Sequence, residues 1–329
     1  MKKVDHSVLQ LSLISWYKDN HRDLPWRRTK DPYEIWISEV MLQQTTVTAV
    51  KPYYAAFLKK FPTVKALAKA PQSQVLEAWA GLGYYSRARN LHKAAKVIVD
   101  LKDFPCTTEE LLELPGFGPY TARAVAAFAF NEKVGVLDGN VIRLLSRLTG
   151  QAVEHWKPAG RGVLQQFSDQ LAQVDDAHTL NQALIELGAT LCTPKNPPCM
   201  ICPWIKNCEA YKKDLIEKLP LKKPKQEQQI WIWRPQVFEK SGAIGFIQND
   251  YLPFLKGQWI LPGTSEKVSL KPKKFNIEHG ITKYSIYIQI QKSKSIKPPV
   301  DVRWIKISEI KKVNPTNLIQ KVLQEGLKP

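Results

Sequence analysis

Leu114–Arg143 reads LPGFGPYTARAVAAFAFNEKVGVLDGNVIR. Two helical runs, Thr108–Leu114 and Tyr120–Phe130, meet across Pro115-Gly116-Phe117-Gly118-Pro119, and the second run is Ala-rich and apolar. Proline and glycine keep that junction out of regular helix, so the stretch is predicted to be a helical hairpin. Gly116 and Gly118 let the backbone come close to a ligand, and the helix that follows offers unpaired N–H groups at the positive end of its dipole. An anion belongs there. No lysine stands in the turn and no strand is predicted before it, which excludes a Walker loop and a dinucleotide fingerprint and favours a backbone phosphate. A tight interhelical turn without a ligand is the other reading of these residues.

Downstream of the hairpin, Asp138-Gly139-Asn140 precedes an amphipathic helix over Val141–Thr149. Asp138 is a good N-cap, and that alone would explain it. Beside a phosphate-binding hairpin, an ionised carboxylate could also stabilise a developing cation or orient a water. Upstream, HRDLPWRRTKDPYEIWISEVMLQQTTVTAV (His21–Val50) leads through an Arg-rich loop to Asp31-Pro32, an N-cap with proline at the first helical position. Trp36, Val40, Val47, Val50 and Tyr54 recur at helical spacing and define one inward stripe, with Glu39 and Gln43 inside it. The residues three and four positions from Glu39 are Trp36, Leu42, Ile35 and Gln43, so no local cation neutralises its carboxylate. A carboxyl group against apolar surface has its pKa raised, which keeps a general acid protonated near neutral pH. Glu39 would then be protonated and Asp138 charged, two carboxyls in different environments; a half-exposed Glu at the edge of the stripe is the plainer alternative.

Between these segments, Phe61–Val99 is helical again, interrupted at Pro71. Gly81-Leu82-Gly83-Tyr84-Tyr85-Ser86-Arg87-Ala88-Arg89 then places two glycines, two tyrosines and two arginines in one turn. In a DNA-binding protein such a turn suits an aromatic wedge with guanidinium groups holding phosphates; a helix cap followed by core tyrosines reads equally well.

Cys192, Cys199, Cys202 and Cys208 give C-x6-C-x2-C-x5-C within 17 residues. A disulfide framework does not look like this, and a structural zinc site more often shows two separated pairs. Four thiolates in one run suit a [4Fe–4S] cluster. Cys106 stands apart and has no assigned role.

The formal charge is 48 − 30 = +18 and is uneven: residues 1–209 carry 25 basic and 20 acidic side chains, net +5, and residues 210–329 carry 23 and 10, net +13. Nucleic acid is the favoured partner, because no helix concentrates lysine opposite a Trp/Leu face as a membrane-surface anchor would. The start, MKKVDHSVLQLSLISWYKDN, is interrupted by Asp5 and His6 and lacks a small-residue cleavage site, so it reads as an amphipathic helix. No run approaches the ~20 apolar residues of a membrane span. An intracellular, soluble protein is expected.

Taken together, EVMLQQT, GLGYYSRARNL, LPGFGPYTA, VLDGN and the cysteine spacing resemble the MutY-type adenine DNA glycosylases of the helix-hairpin-helix superfamily, relatives of endonuclease III, over roughly residues 20–215. The resemblance implies a mainly α fold of two helical lobes: about 24–132 with the hairpin, and 1–23 plus 133–217 with the [4Fe–4S] cluster. DNA would lie in the cleft between them. It implies a cytoplasmic, nucleoid-associated monomer of bacterial type that flips adenine from duplex DNA and hydrolyses its glycosidic bond where the partner is 8-oxoguanine or guanine. By the same resemblance Glu39 protonates adenine N7 and then activates water, Asp138 stabilises the oxocarbenium ion, and Tyr120 and Asn140 stand beside them. Gln44 and Tyr84 would enter the duplex, and Trp26, Arg27, Gln182 and Glu186 would line the adenine pocket or support it. An endonuclease III-like glycosylase/lyase needs an amine for a Schiff base, and Tyr120 stands at the corresponding position. A non-catalytic iron–sulfur DNA-binding protein would need neither carboxylate.

Past a linker over 218–229 the pattern alternates as strands, Ile230–Phe238, Ala243–Gln248, Thr282–Gln291 and Val302–Ile307, and Asn314-Pro315 opens one closing helix. GQWILPGT resembles a segment of the Nudix-like α+β domain that MutY proteins carry, here 230–329. SLKPKKFN stands where a glutamate-rich Nudix helix would follow, implying lesion recognition without nucleotide hydrolysis. Where the family commonly has Phe-Ser-His against 8-oxoguanine, this chain has Ile281-Thr282-Lys283. Thr282 keeps a hydroxyl, and Lys283 brings a charge better suited to phosphate than to a base edge.

Overall fold

The computed structural model describes residues 5–224, 227–291, 297–314 and 316–327. The chain divides into two compact units, Met1–Lys223 and Pro224–Pro329.

The first unit is helical: α1 (His6–Asn20), α2 (Pro32–Leu42), α3 (Val47–Lys60), α4 (Val64–Lys69), α5 (Gln72–Ala78), α6 (Tyr85–Leu101), α7 (Thr108–Leu112), α8 (Pro119–Phe130), α9 (Gly139–Thr149), α10 (Pro158–Leu171), α11 (Ala177–Thr190) and the short α12 (Glu209–Lys212). Alanine decides its centre. Ala122, Ala124, Ala126 and Ala127 of α8 are fully buried, and side chains this small let α2, α7 and α11 all pack closely on one helix. The N-terminal α1, capped by Asp5, packs on α10 and α11, so the chain's first helix lies against helices from the later part of this unit. Met1–Val4 lie outside the described residues.

Several boundaries differ from the sequence expectation. The stripe from Trp36 to Tyr54 does not lie on one helix: α2 ends at Leu42 and α3 begins at Val47. Thr46 accepts a hydrogen bond from Ala49 N to cap α3, and Gln44 sits at φ +57° between the two helices. The run expected over Thr108–Leu114 is helical only to Leu112, because the residue before a proline disfavours helical backbone. Its start carries a capping box, with Thr107 and Glu110 satisfying each other's backbone N–H groups.

The second unit holds β1 (Gln229–Pro235), β2 (Glu239–Lys240), β3 (Ala243–Gln248), β4 (Trp259–Ile260), β5 (Gly263–Val268), β6 (Ile277–Ile281), β7 (Tyr284–Ile288), β8 (Arg303–Lys306), α13 (Ile310–Val313) and α14 (Asn317–Gly326). One sheet runs β5-β1-β7-β6, with β1 and β7 parallel; in the other, β3 pairs with β2, β4 and β8. Strands β2, β4, β5 and β6 were not expected. The expected strand Thr282–Gln291 begins instead at Tyr284, and Thr282-Lys283 form the two-residue loop of a β6–β7 hairpin. The closing segment is two helices rather than one: α13 precedes Asn314, and Thr316 N-caps α14. Pro315, part of that expected helix start, and residues 225–226 of the expected linker lie outside the described residues. No helix among the described residues is long and apolar enough to cross a membrane.

Candidate active site

A cleft of about 810 Å³ in the first unit is lined from the Arg-rich loop, α2, the hairpin, the start of α9, and α10 and α11. Segments far apart in sequence meet here, three of them by an end: the last turn of α2 brings Glu39, the first turn of α8 brings Tyr120, and the N-cap of α9 brings Asp138.

Glu39 is only 6% exposed and accepts a hydrogen bond from Tyr120 Oη at 2.8 Å. Burial pushes its carboxyl up to about 7; the Asp138 charge adds to the rise, while the Tyr120 hydroxyl and Arg27 oppose it. The tyrosine is itself driven well above its ordinary value by burial and by the two carboxyls, so it stays a hydrogen-bond donor. Asp138 caps α9, accepting from Val141 N at 2.7 Å and from Asn140 Nδ2 at 3.0 Å. Burial raises this carboxyl too, against those bonds and Arg143. The expected contrast of one protonated and one plainly ionised carboxyl is therefore softer than the sequence suggested: both are raised, and Asp138 holds more of the hydrogen bonds that favour charge.

Trp26, Arg27 and Gln182 line the same cleft, and Trp26 rests edge-on against Tyr54. Glu186 lies behind them with no exposed surface. Burial alone would lift its carboxyl, but Arg22 and Arg27 outweigh that and bring it to about 2. Arg22 donates through N at 2.9 Å, Nε at 2.7 Å and Nη2 at 2.8 Å; Arg27 reaches Glu186 through Nη2 at 2.7 Å and Gln182 through Nε at 3.2 Å. Sequence reasoning missed Arg22, because nothing local separates it from the other arginines of HRDLPWRR.

The hairpin turn has the expected character. Gly116 adopts φ +85°, and a Cβ there would lie 2.6 Å from Asn90 Cβ. Gly118 leaves the start of α8 without a side-chain cap, so its first N–H groups open on the cleft that both glycines line. Tyr84 is 59% exposed at φ +47°, and Gln44 is exposed and lines the cleft.

Arg87 does something other than hold phosphate. Its Nη1 donates to the carbonyls of Val40 at 2.7 Å, Met41 at 3.1 Å and Gln43 at 2.6 Å, and its Nη2 to Leu82 O at 3.2 Å. The guanidinium thus satisfies the orphan carbonyls at the end of α2, fixing the break before α3.

On α9, Arg143 and Arg147 carry the site's frame to the cysteines. Arg143 bonds Asn140 Oδ1 at 3.0 Å, Gly188 O at 2.6 Å and Cys192 O at 2.8 Å. Arg147, 2% exposed, donates to Thr193 O at 2.7 Å, Pro194 O at 3.1 Å and Cys192 Sγ at 3.5 Å. Both were missed, although two arginines one turn apart inside an apolar helix face are a legible oddity. The Cys192, Cys199, Cys202 and Cys208 thiols line one cavity together with Arg147 and Trp204. Among the described residues no group of three or more His, Cys, Asp or Glu side chains is gathered to hold a single metal ion. Burial pushes the Cys202 thiol up to about 12 and raises Cys199 and Cys208. Cys106 is exposed, away from this cavity.

In the second unit Thr282 is exposed at the hairpin tip with φ +49°, an uncommon conformation for a β-branched residue, and Lys283 Nζ lies 5.4 Å from the centre of the Tyr284 ring. Residues 269–276, between β5 and β6, contain no helix.

Residues 37–158 match the HhH-GPD superfamily of base excision DNA repair proteins. The chain is 34% identical over 281 residues to an adenine DNA glycosylase of Buchnera aphidicola subsp. Schizaphis graminum, covering 82% of this chain and 80% of that one. It is 43% identical over 222 residues to the human adenine DNA glycosylase, covering 63% of this chain and 40% of that one. Among solved structures, a thermostable thymine-DNA glycosylase aligns with a TM-score of 0.58 and 29% identity over 63% of this chain and 97% of its own.

Proposed function

This chain belongs to the adenine DNA glycosylase family, and we propose from that premise that it acts as a monomeric, monofunctional enzyme on adenine paired with 8-oxoguanine or guanine in duplex DNA. It removes adenine in base-excision repair; the pairing partner, the residue roles and the cofactor are parts of the proposal. The observation that supports it most is the placement of a buried carboxyl at about 7, Glu39, in one cleft with a second carboxyl, Asp138, that caps a helix.

Glu39 gives its proton to N7 of the flipped adenine, and Tyr120 holds the carboxyl in place. The N9–C1′ bond then breaks, its electrons leaving with the protonated purine, and Asp138 stabilises the oxocarbenium ion with Asn140 holding its second oxygen. Water adds to C1′ and returns a proton to the Glu39 carboxylate. Asp138's raised carboxyl suits this, since a developing cation next to it favours its ionised form. Trp26, Arg27 and Gln182 frame the base, and Glu186 holds Arg27. Gly116 and Gly118 take a backbone phosphate, while Gln44 and Tyr84 enter the duplex. No lysine lines the cleft among the described residues, so no amine stands ready for a Schiff base.

The cysteine cavity fits a [4Fe–4S] cluster by its donors: four thiols and one buried guanidinium, without carboxylate or imidazole. Thiols this buried stay protonated until a metal takes the proton's place, and Arg147 offsets the resulting charge at Cys192. Bound there, the cluster would supply a rigid, redox-capable centre to the loop. Purified protein is expected to be yellow-brown with about four irons per chain; colourless protein with one zinc contradicts the assignment.

The second unit is proposed as a Nudix-like domain that reads the lesion strand, in a protein of the bacterial cytoplasm. Thr282 presents its hydroxyl from a strained hairpin tip, and Lys283 adds a phosphate contact. Thr282→Val keeps the β-branch, and so the backbone strain, but loses the hydroxyl. It should lower the preference for A opposite 8-oxoguanine over A opposite G by about 1–3 kcal/mol in single-turnover excision at one salt concentration. Equal preference in variant and parent means this loop does not read the lesion.

A further inference from the structure

Three cations line the active-site cleft: Arg22, Arg27 and Arg161. Two are already engaged, since Arg22 and Arg27 share the single buried Glu186 carboxylate. Arg161 has no acidic partner among the described residues. It stands in the first turns of α10, half-buried, between Gly160 and Gly162. Its Nη2 donates to Leu137 O at 2.9 Å, which ties it to the residue before Asp138, and its remaining N–H groups have no protein acceptor among the described residues.

We propose that Arg161 binds the DNA phosphate attached to the sugar of the flipped adenosine. The assignment rests on the reading of this cleft as a glycosylase site. Within a nucleotide, C1′ and the phosphate are one sugar ring apart, so a sugar placed against Asp138 carries its phosphate toward Leu137 and Arg161. Two anions, phosphate and Asp138, would otherwise meet in a partly desolvated cleft whose other two arginines are already turned to Glu186. An arginine presents a planar fork of donors that suits phosphate oxygens, and the bond to Leu137 O leaves part of that fork free. Arg161 is too far along the chain from the hairpin for sequence spacing to link them, yet it lines the same cleft as Gly116 and Gly118. One phosphate held by backbone N–H groups and another by Arg161 would fix the strand at two points.

The test uses the full chain and a duplex with 2′-fluoro-2′-deoxyadenosine opposite 8-oxoguanine, in which the fluorine suppresses cleavage. Binding is measured from about 50 to about 200 mM salt. Arg161→Gln is expected to raise Kd for the mispaired duplex about tenfold and to reduce the slope of log affinity against log salt by about 0.9, with a smaller effect on a matched duplex, in which no adenosine is flipped into the cleft. Arg161→Lys should keep the slope. In the parent, a neutral methylphosphonate at the phosphate beside the flipped adenosine should reproduce the Arg161→Gln loss, and this arm decides the matter should that variant not fold. Unchanged Kd and slope overturn the proposal. So does a raised Kd with an unchanged slope, which would mean that Arg161 acts only through Leu137. Adenine release by the parent from an unmodified duplex is scored separately: its absence would remove the glycosylase reading, whereas the slope comparison stands or falls on Arg161 alone.

Discussion

Glu39→Gln binds the mispaired duplex but releases adenine roughly 10²–10⁴-fold more slowly than the parent in single-turnover excision. The amide fills the same space and still accepts from Tyr120 Oη, but it has no proton to give the purine. The same variant should be more stable. Glu39's folded carboxyl sits at about 7, above its ordinary 4.5, so its contribution to stability is complete below 4.5 and is lost as pH rises through 7. Well above pH 7 that loss is on the order of 3 kcal/mol, and glutamine escapes it. A variant that excises within tenfold of the parent contradicts the role, and one that unfolds earlier than the parent at pH 8 contradicts the electrostatics.

Glu186→Gln is expected to damage the fold and the pocket together. Its carboxyl is held at about 2 by Arg22 and Arg27, below the ordinary 4.5, so its stabilisation is present above pH 4.5 and disappears as pH falls toward 2. Removing the charge strands Arg27, whose side chain is 7% exposed, beside Gln182. The cost should be about 3 kcal/mol at pH 7, or roughly 6–12 °C in Tm for a unit of this size. The gap between variant and parent should narrow as pH is lowered from 4.5 toward 2. Thermal unfolding at pH 7 within about 1 °C of the parent would mean that the arginines find other partners.

Much of the site was legible because its residues break local rules. Glu39 is an acid among apolar neighbours, Gly116 and Gly118 interrupt two helices, and Asp138 opens a third. Long-range terms were not legible. Arg27 affects Glu39 from another segment, and only the fold brings them together. The break between α2 and α3 was hidden because Val50 and Tyr54 remain buried after it, so the apolar period runs on through a chain that has left the helix. Arg87 was recognisable as a functional arginine but not in its direction, since most of its partners are carbonyls some forty residues upstream. In the second unit β5 and β6 escaped because both are sheet edges. GTSEKV and IEHGI bury no residue fully, and an edge strand with glycine and charge lacks the apolar alternation that marks a central one.

The proposed chemical step is delivery, by a carboxyl protonated near neutrality, of the proton that makes adenine a leaving group. It is tested most directly by kcat/KM for adenine release from a duplex with A opposite 8-oxoguanine, measured across pH 5.5–9 at constant ionic strength, because that ratio reports the free enzyme's acid. The expected profile falls tenfold per pH unit above about 7 and leaves the abasic strand uncleaved. A rate that stays level or climbs through pH 9 would contradict Glu39 as the acid.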